Sequence, residues 1–288
     1  LHAGFRVESC GTTMEHGEPV VRVAAIQMNS GADLGRNLEL AGELLSDAAS
    51  DGCALAVLPE NFALMPERGR DKSRHAEQPG EGPIQDFLAE WAARHGMWVI
   101  AGSMPLESPE PERVYGACVV VDERGETRAI YRKIHLFDVD LPDREESYRE
   151  SHSMYPGDEP MTVDTPAGRI GLTICYDLRF PELYRTLVDA GATVFTVPAA
   201  FTAVTGAAHW HALLRARAIE NLAYVIAPGQ FGTHPDNRET YGHSLIVDPW
   251  GRILAEQPSG NRAVTADIEP GSPDQLRESF PALANRRL

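Results

Sequence analysis

The sequence is poor in cysteine, with four in 288 residues, at positions 10, 53, 118 and 175. None stands in the close CxxC pairing from which zinc and redox sites are usually built. Reduced thiols of an intracellular protein are expected, not a disulfide framework. Long apolar runs are missing too. Nothing approaches the roughly 20 residues that span a bilayer, and no basic stretch, apolar run and cleavage site open the chain. A soluble, cytoplasmic protein without a membrane partner is expected. Positive charge is also short, with 26 Lys and Arg against 42 Asp and Glu and a formal net charge of −16. The acidic excess is spread along the chain and forms no tail, which speaks against nucleic acid or an anionic membrane as a partner.

What is present suits a buried core. A hydrophobic content of 43% over this length is enough for one large domain. One domain is expected over 20–288. Residues 1–19 lack steady periodicity and any methionine before Met14, and are set apart as a disordered or vector-derived leader. From Val20 onward, short β-branched runs alternate with longer helical patterns, which predicts an α/β sheet protein. Strands are expected over 21–28, 54–58, 98–103, 169–174, 192–198 and 224–227, and helices over 34–50, 84–95, 181–190 and 209–221. Hairpins are expected over 115–121 with 127–133, turning at Gly125, and over 244–253, turning at Asp248 to Gly251. Residues 134–160 are rich in Asp, Glu, Pro and Ser without periodicity, which predicts a long loop lining a site.

Three chemically interesting side chains, Glu60, Lys133 and Cys175, each follow directly on a predicted strand. Strand ends of an α/β sheet are where ligands usually bind. A free thiol, with a pKa near about 8.5, is mostly protonated at neutral pH, so a nucleophilic cysteine needs a base or a positive field. Glu60 can be that base and Lys133 that field. At a strand-to-helix elbow the Tyr176 amide would face an oxyanion formed at Cys175. Each residue also has an ordinary reading. Cys175 could be a buried structural thiol, Glu60 a helix cap or loop acid, and Lys133 a strand-end surface charge. His209 and His211 suggest a metal, but residues two apart on a helix face different ways and no third ligand recurs at a suitable spacing. No metal is expected.

The surroundings of the three residues decide between these readings. Leu58-Pro59-Glu60-Asn61, Tyr131-Arg132-Lys133-Ile134-His135-Leu136-Phe137 and the run GLTICYDLRFPE over 171–182 together resemble the nitrilase superfamily of carbon–nitrogen hydrolases. In that family a Glu, a Lys and a Cys follow in this order, and the resemblance runs from about residue 21 to the C-terminus. It implies an αββα sandwich that associates to an αββα-αββα dimer or a multiple of it. It also implies that Glu60 takes the proton of Cys175 and later activates water. Lys133 and the Tyr176 amide would stabilise the oxyanion, and acyl transfer would pass through a thioester without any cofactor. A fourth family residue, a glutamate in the loop after the lysine, maps onto Glu150, with Glu145 and Glu146 as neighbouring alternatives. Its role would be to hold the Lys133 ammonium. The competing reading is a solvated loop acid.

Within the family, residues 200–210 and 214–220 resemble the amidase branch that includes deaminated glutathione amidase and ω-amidase, and not the nitrile-hydrolysing enzymes. The stretches 135–139, 230–234 and 241–251 look more like the former. The resemblance implies a small anionic amide as substrate. The alternatives are an ω-amidase acting on 2-oxoglutaramate, an N-carbamoyl hydrolase, or a non-catalytic interaction protein on the same scaffold. The intact Glu60, Lys133 and Cys175 argue against the last of these. An anionic substrate needs a local cation against so negative a chain, and Arg179, four residues after Cys175, is the first candidate. An ion pair of Arg179 with Glu182 or Asp177 is its competing reading. Tyr176, Phe201 and Thr202 would line the acyl pocket, although Phe201 also reads as ordinary core.

Overall fold

Apolar runs too short for helices become strands buried on both faces. The first half of the chain supplies β1 (Val21–Gln27), β2 (Leu55–Val57), β3 (Trp98–Ile100), β4 (Met104–Glu107), β5 (Val114–Val121) and β6 (Thr127–Arg132), with helices α1 (Leu34–Ser50) and α2 (Pro83–His95) between them. A small hairpin, β7 (Asp138–Asp140) and β8 (Ser147–Arg149), follows. The second half supplies β9 (Thr162–Thr165), β10 (Gly168–Leu172), α3 (Pro181–Asp189), β11 (Val194–Thr196), α4 (Ala203–Asn221) and β12 (Tyr224–Ala227). Then come the hairpin β13 (Phe231–Thr233) and β14 (Glu239–Tyr241), β15 (Ser244–Val247), β16 (Ile253–Gln257), β17 (Arg262–Ile268) and α5 (Ser272–Ser279). The structure, a computed structural model, describes residues 19–287 apart from 66, 68, 141–146 and 236. The expected leader, but for Pro19, and the alternatives Glu145 and Glu146 lie outside the described residues.

Two sheets stack on each other. The first has the order β17-β1-β2-β3-β5-β4, with β6 also on β5, and the second the order β16-β15-β12-β11-β10-β9. Parallel pairing joins β1, β2 and β3 in one sheet and β10, β11 and β12 in the other. Parallel strands need helical crossovers, which explains the strand–helix cadence of the sequence. Alternation along each strand sends side chains to both faces. Val23, Ala25, Leu55 and Val57 share one core with Ile170, Leu172, Val194 and Ile226 of the second sheet. Their neighbours Ala24, Ile26, Ala56 and Leu58 pack with Ala41, Leu45 and Leu88 of α1 and α2. Helices α3 and α4 cover the far side of the second sheet through Leu187 and Leu214. The layers therefore run helix, sheet, sheet, helix. No described helix is long and apolar enough to cross a membrane.

Four departures from the sequence expectation have local causes. The strand expected over 98–103 stops at Ile100, because Gly102 takes φ +58° where a Cβ would lie 2.1 Å from the Pro59 carbonyl oxygen. Helix α4 starts six residues before the expected 209, at Ala203, where Thr202 caps it by accepting from the Thr205 amide at 3.4 Å. Alanines and Gly206 in its first turns dilute the apolar pattern that would have announced it. The loop expected over 134–160 holds the β7–β8 hairpin and a single 3₁₀ turn, Glu150–His152. Strands β9 and β17 carry too many polar residues to stand out, and β17 is held by its full antiparallel register with β1.

Candidate active site

The ends of strands from both sheets meet at one cavity of about 180 Å³. Glu60 stands three residues beyond β2 and is buried. Its Oε1 accepts from Lys133 Nζ at 2.7 Å and its Oε2 from the Ala200 amide at 2.8 Å. Lys133 is the residue after β6, and its ammonium is only 2% exposed. The same ammonium donates to both oxygens of Glu150 at 2.9 Å. Glu150 begins the 3₁₀ turn after β8, and its Oε2 also accepts from the Phe137 amide at 2.6 Å. One cation thus sits between two carboxylates, its donors directed at three oxygens. This is the arrangement in which a buried charge is tolerated.

Cys175 leaves the end of β10 at φ +47°, a left-handed conformation that a side chain other than glycine rarely adopts. Such strain costs on the order of 1–3 kcal/mol and persists only where the surroundings enforce it. The enforcing group is Asp177. Its Oδ2 accepts from the Ile174 amide at 2.8 Å and from the Tyr131 hydroxyl at 2.7 Å, and its Oδ1 accepts from the His135 amide at 3.1 Å. The His135 ring adds Nδ1 to Oδ1 at 2.7 Å. The Cys175 amide donates to the Pro198 carbonyl at 2.9 Å. Asp177, wholly buried, therefore pins the elbow of one sheet to the Tyr131–His135 stretch of the other. Sequence reasoning placed Asp177 only as a partner of Arg179. The DLR and IHL motifs that carry Asp177 and His135 were visible, but nothing in them showed that they meet.

The ionisation states follow from these contacts. Burial would raise the Glu60 carboxyl, but the Lys133 ammonium outweighs it and holds Glu60 below the usual carboxylate range. Burial would likewise depress Lys133, but Glu150 and Glu60 hold its ammonium well above the usual lysine range. Burial, with the Glu60 carboxylate adding to it, raises the Cys175 thiol well above the usual range, and Lys133 offsets only part of this. At rest the pair is a neutral thiol beside an ionised carboxylate. Cys53 and Cys118 are core thiols that burial pushes up to about 12, and neither lines the cavity.

The remaining expected residues divide. Tyr176, Phe201 and Thr202 line the cavity, and the Thr202 hydroxyl also caps α4. Arg179 does not. Its guanidinium lies over the rings of Tyr176 and Phe201, 5.9 and 5.2 Å from their centroids, and donates to His209 Nδ1 at 3.4 Å. The oxygens of Asp177 are taken up as described, so the ion pair read as an alternative for Arg179 is not formed with Asp177. The cavity wall also contains Lys72 and Arg238, which no sequence signal marked. Away from the cavity, His211 Nε2 and His243 Nδ1 meet Glu256 Oε1 at 2.9 and 2.5 Å. Their ligand atoms lie close enough to share a metal ion. The third group, absent from the local spacing around His211, comes from β16. A carboxylate only accepts, so each ring nitrogen facing it carries a proton that a metal would have to displace.

A carbon–nitrogen hydrolase family model matches residues 22–278. A deaminated glutathione amidase of Yersinia enterocolitica is 42% identical over 267 residues, which cover 92% of this chain and 93% of that protein. The Homo sapiens enzyme of the same name is 39% identical, covering 92% of this chain and 82% of its own. Among solved structures, the NitFhit protein of Caenorhabditis elegans superposes with a TM-score of 0.86 at 36% identity, over 94% of this chain and 66% of that one. Nit3 of Saccharomyces cerevisiae, described as a member of branch 10 of the nitrilase superfamily, superposes with a TM-score of 0.83 at 31% identity, over 93% and 97%.

Proposed function

The chain belongs to the carbon–nitrogen hydrolase family, and on that premise we propose that it is a thiol amidase hydrolysing deaminated glutathione to 2-oxoglutarate and Cys-Gly, a metabolite-repair reaction. The substrate reading is supported by relatives of that name at about 40% identity over nine-tenths of the chain. The observation that carries the mechanism is the Glu60 carboxylate, which joins the Lys133 ammonium, the Ala200 amide and the Cys175 thiol in one buried cluster.

In this mechanism Glu60 accepts the Cys175 proton as Sγ bonds to the amide carbon. Charge moves to the carbonyl oxygen, which the Lys133 ammonium and the Tyr176 amide stabilise. The tetrahedral adduct collapses with cleavage of the C–N bond, and Glu60 returns its proton to the departing amine of Cys-Gly. A thioester remains. Water then loses a proton to Glu60 and attacks the thioester carbon, the C–S bond breaks, and the sulfur recovers the proton. Glu150 fixes the Lys133 ammonium throughout and neutralises what would otherwise be a mobile buried cation. The rings of Tyr176 and Phe201 keep bulk water from the thioester, and the Thr202 hydroxyl faces the acyl group. Residues 20–288 act as one catalytic domain, working in the cytoplasm as a homodimer or a multiple of it, without a cofactor.

The test follows 2-oxoglutarate release from deaminated glutathione and from 2-oxoglutaramate by the native protein and by Cys175→Ala. A strong preference for the tripeptide analogue is expected, with turnover lost by a factor of about 10⁴ or more in Cys175→Ala. Preference for the simple amide would make the protein an ω-amidase. A fully active Cys175→Ala protein would overturn the mechanism.

A further inference from the structure

A substrate bearing carboxylates needs cations close by, because a chain with net charge −16 repels it at longer range. Among the described residues, four cationic side chains line the cavity: Lys72, Lys133, Arg149 and Arg238. Lys133 is held by Glu60 and Glu150, and Arg149 Nη2 donates to both Asp140 oxygens at 2.8 and 2.9 Å while Nη1 donates to the Val139 and Tyr148 carbonyls. Lys72 is different. It stands on the 3₁₀ turn Gly69–His75, and its ammonium donates to a neutral acceptor, Asn61 Oδ1, at 2.9 Å. Arg238, which enters the same cavity just before β14, lays Nη2 against the Met65 sulfur at 2.9 Å.

We propose that Lys72, with Arg238 beside it, is the seat for a carboxylate of the substrate, a role that rests on the anionic amide of the preceding section. Two like charges brought to one cavity repel each other, and a bound carboxylate between them turns that repulsion into two charge-assisted hydrogen bonds. The repulsion is already felt. Burial pushes the Lys72 ammonium down to about 8, with Arg238 and Lys133 adding to the effect and Glu150 and Glu60 opposing it. The placement also suits catalysis. Asn61, which holds Lys72, is the residue after Glu60 and is itself fixed at φ +58°, its amide donating to Ser103 Oγ at 2.9 Å. A carboxylate held at Lys72 is thereby indexed to the base, so that binding at one end sets the position of the amide at the other. Arg179, from which the sequence led us to expect this task, is engaged with His209 outside the cavity wall.

Calorimetric binding of 2-oxoglutarate, of its uncharged dimethyl ester and of Cys-Gly to Cys175→Ala protein tests this without needing turnover. Lys72→Met in that background should weaken one of the two carboxylate-bearing ligands by about 10- to 100-fold, the size expected for losing a hydrogen bond to a charged group. Loss of 2-oxoglutarate binding puts the seat on the acyl side, and loss of Cys-Gly binding puts it on the leaving side. Arg238→Gln should weaken the same ligand, whereas Lys72→Arg should restore it to within a few-fold. For an acyl-side seat the preference for 2-oxoglutarate over its ester should also collapse in Lys72→Met. Unchanged binding of both 2-oxoglutarate and Cys-Gly in Lys72→Met and Arg238→Gln would overturn the proposal. A Lys72-dependent anion site in a protein that leaves deaminated glutathione intact would instead keep the seat and discard the substrate reading.

Discussion

Lys133 and Lys72 face the same cavity, yet their surroundings push their ammonium groups in opposite directions. Both are drawn out of water, which by itself lowers the pKa of each. Lys133 lies between two carboxylates within 2.9 Å and stays charged well above the usual lysine range. Lys72 touches an amide oxygen, has Arg238 for a neighbour and falls to about 8. The strand-end wall of the cavity is thus a closed electrostatic unit, with its charges satisfied before any substrate arrives. On the wall formed by the 3₁₀ turn, the Lys72 ammonium donates to the neutral Asn61 Oδ1 and is the proposed seat for a substrate carboxylate. The first arrangement suits a fixed catalytic charge and the second suits recognition.

The sharpest way to break the comparison is to remove the cation from the closed unit. Lys133→Gln leaves Glu60 and Glu150 facing each other in a buried space. Turnover should fall about 10³-fold or more, as for loss of an oxyanion donor, and stability should drop by about 3–5 kcal/mol, as when a buried ion pair loses one partner. The sign of the pH effect is specific. The two carboxylates, now mutually repelling, would have raised pKa values in the folded state, so the variant gains stability relative to the native protein as pH falls from 7 to 5. A melting temperature equal to that of the native protein at pH 7 would show that the lysine is not what holds the two acids together.

The same division governs what the sequence disclosed. Glu60, Lys133 and Cys175 were legible because each follows a predicted strand inside a family motif, and the rise from strand to cavity is set by local backbone. Glu150 was legible through the family motif alone, since its turn is held by the Phe137 amide and by Lys133, contacts made across more than ten residues. Lys72 and Arg238 were not legible. They lie in irregular segments with no periodicity, and only the packing of those segments against the strand ends brings them into one cavity. Arg179 misled for the converse reason. Its proximity to Cys175 in sequence is real, but the 3₁₀ turn Cys175–Arg179 directs the guanidinium over two aromatic rings toward His209. His211 was dismissed as a metal ligand for lack of a neighbour, whereas its partners His243 and Glu256 arrive from more than thirty residues away.

Asp177 sharpens the comparison from beneath the closed unit, since it touches neither substrate nor sulfur and acts by positioning the elbow. Its four accepted hydrogen bonds use both oxygens. Asp177→Asn replaces one acceptor by an NH₂ group that faces donors. The turnover number should fall about 10- to 100-fold, KM should move much less, and the melting temperature should drop, because a misplaced nucleophile costs more in the transition state than in binding. A lower melting temperature with an unchanged turnover number would reduce Asp177 to a scaffold residue.

The smallest effect is the one that separates the two lysines in a single protein. Lys72, faced by Glu60, Glu150, Arg238 and Lys133, is charged below about 8 and loses its charge as pH rises through that value. The seat for the substrate carboxylate weakens accordingly, so KM should rise by up to about tenfold for each pH unit beyond 8. The turnover number should not follow it, because Lys133 remains an ammonium well above this range and the Cys175 thiol does not ionise there. On the acid side Glu60 is held ionised below the usual carboxylate range, so activity should persist down to pH values at which an ordinary glutamate would already be protonated. Lys72→Arg, whose guanidinium stays charged throughout, should erase the alkaline rise in KM and leave the acid limb where it was. A turnover number that fell together with 1/KM near pH 8 would mean that both walls of the cavity titrate as one, and the distinction between a closed catalytic unit and an open recognition wall would be lost.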